Sequence, residues 1–414
     1  SSLNSSIWNS IKDLFSPRYR VPLAVPYWSG AVYRAILRSF FSCNIIDGRD
    51  LGDLKSVVDS ELGVQDAILC GSGSLALEIA LRACSVHKGD EVVIPTFCCT
   101  SVVSPIVALG AHPVLADVGD ELNLTVKTVE AVLTGKTKAI IVPHLFGNPA
   151  DINGIIGLVH GRGIYVVDDA AQALGATIGE DWLGSFGDAG VFSFGNDKVC
   201  SGLGGGVVIS RQVKFRNGSI EIALAPALRS VVVRNFLEAL IWRRWRRWTL
   251  PLQAALTRQS TPPDLPPAPY RRELMANLNA AVAVSLMQTL RDNIAARRAR
   301  VHAYREMLGA DQRLTLVPHR IGSACLTQVV RVVPQRRGDE RSAALIEALR
   351  SAGYEVQGSY IPIHLLPHYQ QLFKKPLRQS ERVWSDLVEL PCEPDVSFDE
   401  VARIVAVIKQ VLDA

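Results

Sequence analysis

Long apolar runs, paired cysteines and net charge are all scarce in this chain. No apolar run reaches the ~18 residues that a membrane-crossing helix needs, so no spanning helix is expected. The eight Cys are scattered at 43, 70, 84, 98, 99, 200, 325 and 392, with no CxxC pair. That is neither zinc-ligand spacing nor a disulfide framework. A chain of 414 residues also needs no staples to bury a core. Reduced thiols in a cytoplasmic protein, with no metal site, are expected. The opening SSLNSSIWNSIKDLF lacks a basic segment followed by an apolar one, so no secretory signal is expected. Charged residues make up 20% and the formal charge is +4, too mild to imply a nucleic-acid partner.

Hydrophobic residues make up 48%, a composition of folded domains rather than disorder. At ~150 residues per domain the length allows two to three domains. From about residue 64 to 210, short Val/Ile runs alternate with segments of helical period. AILC (67–70), VVIP (92–95), PVLADV (113–118), KAIIVPHLF (138–146), IYVVDD (164–169), VFSF (191–194) and GVVIS (206–210) read as strands. Segments 75–84, 101–109, 125–133 and 152–160 read as helices. Continuous apolar strands separated by helices argue an α/β fold with a mostly parallel sheet covered on both faces. Residues 213–270 interrupt this order with a basic, Trp-containing stretch and the proline-rich TPPDLPPAPY. Residues 278–308 then read as one long helix, and the last ~95 residues as a smaller α+β domain. The expected division is an N-terminal arm (1–45), a large domain (46–277, carrying the insertion 213–270) and the long helix with the small domain (278–414).

Three stretches carry residues with chemistry in them. GSGSLAL (71–77) follows a strand and opens a helix. Small residues there let an anion approach the first helical N–H groups and the positive end of the helix dipole. It has neither the Lys of a P-loop nor GxGxxG spacing, and an ordinary turn with an N-cap explains it equally well. VVDDAAQALGA (166–176) puts Asp168 and Asp169 at the C-terminal end of a strand, where open α/β sheets place ligands. The plain reading of this pair is a helix cap and a solvated neighbour. FSFGNDKVCSGLGGGVVIS (192–210) holds one Lys, Lys198, between a strand and a glycine run. A Lys held in a site can become a nucleophile; the plain reading is a surface loop. Anion loop, strand-end acid and loop Lys, in that order on one sheet, match the needs of pyridoxal phosphate (PLP): a phosphate cradle, a partner for the pyridine nitrogen and an amine for the aldehyde.

GSGSLALEIALRA, KGDEVVIPTF, GAHPVLADV, TKAIIVPHLFGNPADI, VVDDAAQALGA and SFGDAGVFSFGNDKVCSGLGGGVV resemble successive blocks of the DegT/DnrJ/StrS family. These are fold-type I, PLP-dependent sugar aminotransferases. The resemblance is collinear over roughly 60–210 and resumes at NLNAAVAVSLMQTL and SYIPIHLLPHY…ELPCEPDVSFDEV. It implies that Lys198 is the Schiff-base lysine, Asp169 the partner of the pyridine nitrogen, and Gln172 the side chain lying against the ring. It implies Ser193 as a phosphate-binding hydroxyl and Gly73 and Ser74 as the cradle. It further implies a homodimer with shared sites.

Departures fall where substrate is chosen. Cys99 stands near the position of an aromatic that stacks on the ring. Arg271–Arg272 stand near an Asn that reaches the partner subunit's phosphate. Leu174 replaces a His. His144 and His364 read equally as structural residues or substrate contacts. The adjacent Cys98 and Cys99 read as small buried residues rather than a redox pair.

Residues 229–272 hold nine Arg against Glu238 and Asp264, and NFLEALIWRRWRRW (235–248) segregates Trp from Arg on a helical wheel. That pattern suits a helix lying on an anionic membrane surface, but Glu238 falls toward the apolar arc, which favours a helix docked on its own protein or dimer mate.

The function implied by the resemblance is transamination of a nucleotide-linked keto-sugar with glutamate or glutamine as donor. A keto-cyclitol or another keto-metabolite is the alternative substrate. A non-catalytic binding or regulatory protein, or a membrane-surface scaffold, is the alternative class. The related dehydratases carry His where Lys198 stands.

Overall fold

The computed structural model describes residues 21, 23, 27–64, 67–210, 222–240, 270–335, 340–370, 373 and 376–414. Its centre is a seven-stranded sheet in the order β1-β9-β8-β5-β4-β2-β3. The strands are β1 (Ile68–Cys70), β2 (Glu91–Pro95), β3 (His112–Ala116), β4 (Thr137–Pro143), β5 (Tyr165–Asp169), β8 (Ala189–Ser193) and β9 (Gly206–Ile209). Pairing is parallel from β8 through β5, β4 and β2 to β3, and β9 runs against both its neighbours, β8 and β1. A mostly parallel sheet is therefore what the Val/Ile runs build.

Those runs are continuous because both faces are covered. Val191 and Val208 face the layer of helix Gly73–Ala83, whereas their neighbours Phe192 and Val207 face the opposite core. Likewise Ile141 and Val167 point one way, and Ile140 and Val166 the other. A two-residue period with both faces buried leaves no place for a polar alternation.

Helices Gly30–Phe41, Asp50–Leu62 and Asn277–Met287 cover the face of Phe192 and Val207, opposite helix Gly73–Ala83. The stretch 278–308 is not one helix. It divides into Asn277–Met287 and Leu290–Leu308, because the Thr289 amide bonds back to Leu286 O, which tightens the turn, and Thr289 sits at φ −114°. Other helices are shorter than the periodicity predicts, such as Val126–Glu130 behind its Thr125 cap and Val103–Ala108. A two-stranded hairpin, β6 (Thr177–Ile178) with β7 (Asp181–Trp182), has no strand signature in the sequence. A second sheet of β10 (Leu314–Leu316), β11 (Gln328–Val332) and β12 (Leu387–Leu390) packs with helices Arg341–Ser351 and Phe398–Asp413 around its own core.

Residues 229–240 are helical, and Phe236 is buried and stacked on Trp28 at 6.1 Å. Residues 241–269, with Trp242, Trp245 and Trp248 and the Arg between them, lie outside the described residues. No described helix is long and apolar enough to cross a membrane.

Candidate active site

The strand ends that point the same way meet at one edge of the large sheet. Ser72–Ser74 follow β1, Cys98 and Cys99 follow β2, His144 follows β4, Asp169 ends β5 and Ser193 ends β8. A cavity of about 260 Å³ opens there. All six residues singled out in the sequence line it: Gly73, Ser74, Asp169, Gln172, Ser193 and Lys198.

The anion end is built by close packing. Ser72 caps helix Gly73–Ala83 by accepting the Leu75 amide, which leaves the first helical N–H groups to face the cavity. A Cβ at Gly73 would lie 2.9 Å from Ser193 Oγ, so only glycine lets the strand-end hydroxyl come up to the helix start. Gly205, at φ +106°, turns the chain so that its amide reaches Gly71 O at 2.9 Å.

Lys198 sits on an irregular loop, yet the loop is firmly held. Trp28 Nε1 donates to Ser201 O at 3.1 Å, Asn279 Nδ2 to Gly202 O at 2.7 Å and Asn293 Nδ2 to Val199 O at 3.4 Å. The ammonium lies 3.3 Å from the exposed Asp197 carboxylate, and no other ion pair of Lys198 exists among the described residues.

The two neighbouring acids have separate roles. Asp168 is fully buried, accepting from His144 Nε2 at 2.6 Å and from the Phe186 amide at 3.0 Å. It is neither a helix cap nor a solvated neighbour, contrary to the plain reading of the sequence. Asp169 is buried with the Ala171 amide, at 3.0 Å, as the hydrogen bond to its carboxylate. Burial pushes its carboxyl up to about 6, against the smaller opposing effects of that amide and of Lys198. A buried acid with so little compensation fits a cationic ring nitrogen held next to it. Glycine-lined cradle, hydroxyl, acid and lysine together fit PLP.

Gln172 is held at both ends, its Oε1 accepting the Phe146 amide at 2.9 Å and its Nε2 donating to the Tyr360 hydroxyl at 2.9 Å. Tyr360 was not singled out in the sequence; the aromatic in SYIPIH is its only trace. His144 lines the cavity while its Nδ1 accepts the Ala150 amide at 2.9 Å. His364 does not line the cavity. It bonds Thr96 Oγ1 at 2.7 Å and Glu381 at 3.0 Å, a structural role. Cys99 lines the cavity with Ser101 Oγ 3.0 Å from its sulfur, and Cys98 is buried, its thiol raised by desolvation. Arg272 pairs with the buried Glu78 at 2.8 Å, and Arg271 with Glu273 at 2.8 Å, both within the chain.

The sequence matches the DegT/DnrJ/EryC1/StrS aminotransferase family over residues 33–219 and 270–409. The chain belongs to that family. It is accordingly a PLP-dependent aminotransferase, and the match is interrupted where the Arg/Trp and Pro-rich stretches stand. Over 171 residues it is 40% identical to a UDP-N-acetyl-3-dehydro-alpha-D-glucosamine 3-aminotransferase of Acidithiobacillus ferrooxidans, covering 40% of this chain and 46% of that protein. It is 28% identical to the GDP-perosamine synthase of Vibrio cholerae, over 84% of this chain and 87% of that one. Among solved structures, the aminotransferase TlmJ from Streptoalloteichus hindustanus superposes with a TM-score of 0.74 at 23% identity, covering 94% of this chain and 98% of that one. The PLP form of Spr1654 from Streptococcus pneumoniae gives 0.75 at 21%, covering 95% and 99%. At these identities the superpositions establish the fold.

Proposed function

We propose that this aminotransferase moves an amino group from glutamate or glutamine to a nucleotide-linked keto-sugar. The observation that carries the site is the meeting of Lys198, Asp169, Gln172, Ser193, Gly73 and Ser74 in one cavity. The activities for which the relatives are named support a sugar nucleotide as acceptor. PLP, when bound, supplies an aldehyde that captures amines and a ring that accepts an electron pair from the substrate carbon. The chain supplies the rest. Ser193 and the N–H groups at the start of helix Gly73–Ala83 bind the phosphate. Asp169 holds a proton at the pyridine nitrogen. Gln172, fixed by Phe146 and Tyr360, orients the ring. Lys198 Nζ would take the proton that the carbon of the amino donor loses and, in the second half-reaction, supply the one that the sugar carbon gains.

The working unit in this reading is a homodimer, as the resemblance implies. Its Arg/Trp stretch attaches peripherally to an anionic lipid surface, a reading supported by the sequence of 235–248. The deciding experiment is a half-reaction of the PLP enzyme with glutamate, followed by a screen of keto-sugar nucleotides against the aminated enzyme. Amine transfer to a sugar nucleotide is expected. Loading by glutamate with transfer only to a keto-cyclitol would replace the substrate class.

A further inference from the structure

Lys198, Gln172 and Asp197 line a second, smaller cavity of about 70 Å³ on the side of the small sheet. Its far wall comes from three separate elements: Arg297 on helix Leu290–Leu308, Glu389 on β12, and Gln357 before it. These side chains are remote in sequence and no step of the proposed chemistry uses them.

Arg297 is only 3% exposed. Its Nε donates to Asn293 Oδ1 at 2.8 Å and its Nη1 to Leu326 O at 2.9 Å. Its Nη2 has no hydrogen-bond acceptor among the described residues, so one edge of a buried guanidinium is left to the cavity. Glu389 is buried, with Gln357 Nε2 at a long 3.4 Å. Burial pushes its carboxyl up to about 7, beyond what Ser359 and Gln357 offset. Near neutrality it is therefore able both to donate and to accept.

A donor edge and an acid that can do either, lining one small cavity, suit a group that is itself donor and acceptor. A hydroxyl is such a group. A carboxylate would gain Arg297 but face Glu389, Glu393 and Asp197, three acids lining the same small space. A nucleotide is far too large. We propose that this second cavity is the subsite for hydroxyl groups of the keto-sugar ring, and that Glu389 and Arg297 set the preference for a hydroxylated over a deoxygenated sugar. The inference rests on the sugar-nucleotide reading above and names what selects the sugar.

The test uses PLP-saturated wild type, Glu389→Gln and Glu389→Leu, with cofactor absorbance as the folding control. Each is titrated calorimetrically with UDP-N-acetylglucosamine and GDP-mannose, which carry no ketone, and with their 4-deoxy and 6-deoxy analogues. Wild type is expected to bind a parent sugar at least ~10-fold more tightly than one of its deoxy analogues, because a deoxy ligand leaves buried polar groups unpaired. Glu389→Leu is expected to abolish that ratio and Glu389→Gln to retain part of it. Equal binding of parent and analogues to wild type, a ratio that survives Glu389→Leu, or no binding of any sugar nucleotide overturns the subsite. A glutamate KM that rises as steeply as the sugar Kd in Glu389→Leu gives the cavity to the amino donor and overturns it too. Failure of the aminotransferase reading registers separately, as absence of the glutamate half-reaction in wild type.

Discussion

His144 Nε2 donates to Asp168 Oδ1 across 2.6 Å, with both side chains wholly enclosed. The tautomer follows from the other ring nitrogen, since Nδ1 accepts the Ala150 amide and Nε2 must carry the hydrogen. Asp168 is thus occupied with holding the end of β4 against β5, and the adjacent Asp169 is the acid that the proposed function assigns to the cofactor. The two Asn substitutions should separate these jobs. Asp169→Asn is expected to keep PLP and lose at least ~10²-fold in transamination rate, as when an electrostatic partner of the reacting group is removed. Asp168→Asn should instead cost ~2 kcal/mol of stability by weakening a buried charge-assisted bond. Turnover and denaturant melts of both variants check this. Near wild-type turnover in Asp169→Asn would overturn the assignment.

A pH effect follows from the same burial. The Asp169 carboxyl sits at about 6 against an ordinary 3.8. Between those values the native chain keeps a proton that the unfolded chain has released, so stability falls as pH rises through the window and the full penalty stands above about 6. Two pKa units correspond to ~3 kcal/mol. PLP-free Asp169→Asn should therefore melt higher than PLP-free wild type at about pH 8, with the gain shrinking toward about pH 5. Glu389 shifts in the same direction, and comparison of this one variant with wild type removes its contribution. Thermal melts at the two pH values decide it; an equal gain at both would disprove it.

Lys198 is expected to carry the cofactor covalently. Borohydride treatment of the PLP-saturated enzyme and peptide mapping should place a pyridoxyl group on the peptide containing NDKVCSG. A label on another lysine would remove Lys198 from its role.

The Arg/Trp stretch should bind vesicles of anionic lipid and not neutral ones. Each Arg near such a surface contributes ~1 kcal/mol, and the attraction should fade at high salt as the screening length contracts to ~3 Å at 1 M. Co-sedimentation with wild type and with Arg243, Arg244, Arg246 and Arg247 all changed to Gln measures this. Binding that persists in the Gln variant would reject an electrostatic anchor.

What the sequence discloses and what it conceals have physical reasons. The sheet is legible because two-sided burial forces unbroken apolar runs such as 139–142 and 164–167. The cradle and the lysine loop are legible because close approach demands glycine at 73 and 205. The break at Thr289 is hidden because no Gly or Pro marks it; only packing does. Phe146, a non-glycine at φ +59°, is equally silent. The second cavity is invisible in the sequence because Arg297 and Glu389 meet only through folding, as do Gln172 and Tyr360, 188 positions apart.

The chain before and after residues 226–269 is joined at nearly one point. The Ala225 amide donates to Arg272 O at 3.0 Å, and the Ala225 carbonyl accepts the Leu274 amide at 2.8 Å. Beyond this clasp, Tyr270 and Arg272 fasten the returning chain to the buried Glu78. The ends of the excursion are thus fixed whatever its contents. Since the entropy of closing a loop grows only logarithmically with its length, each doubling costing ~0.6 kcal/mol, the part beyond residue 240 can lengthen, shorten or be exchanged with little effect on the fold, whereas Ala227, Val232 and Phe236 before it are buried in the core. The cradle and its lysine form a constant chassis, and the clasp is a socket into which evolution can plug an accessory.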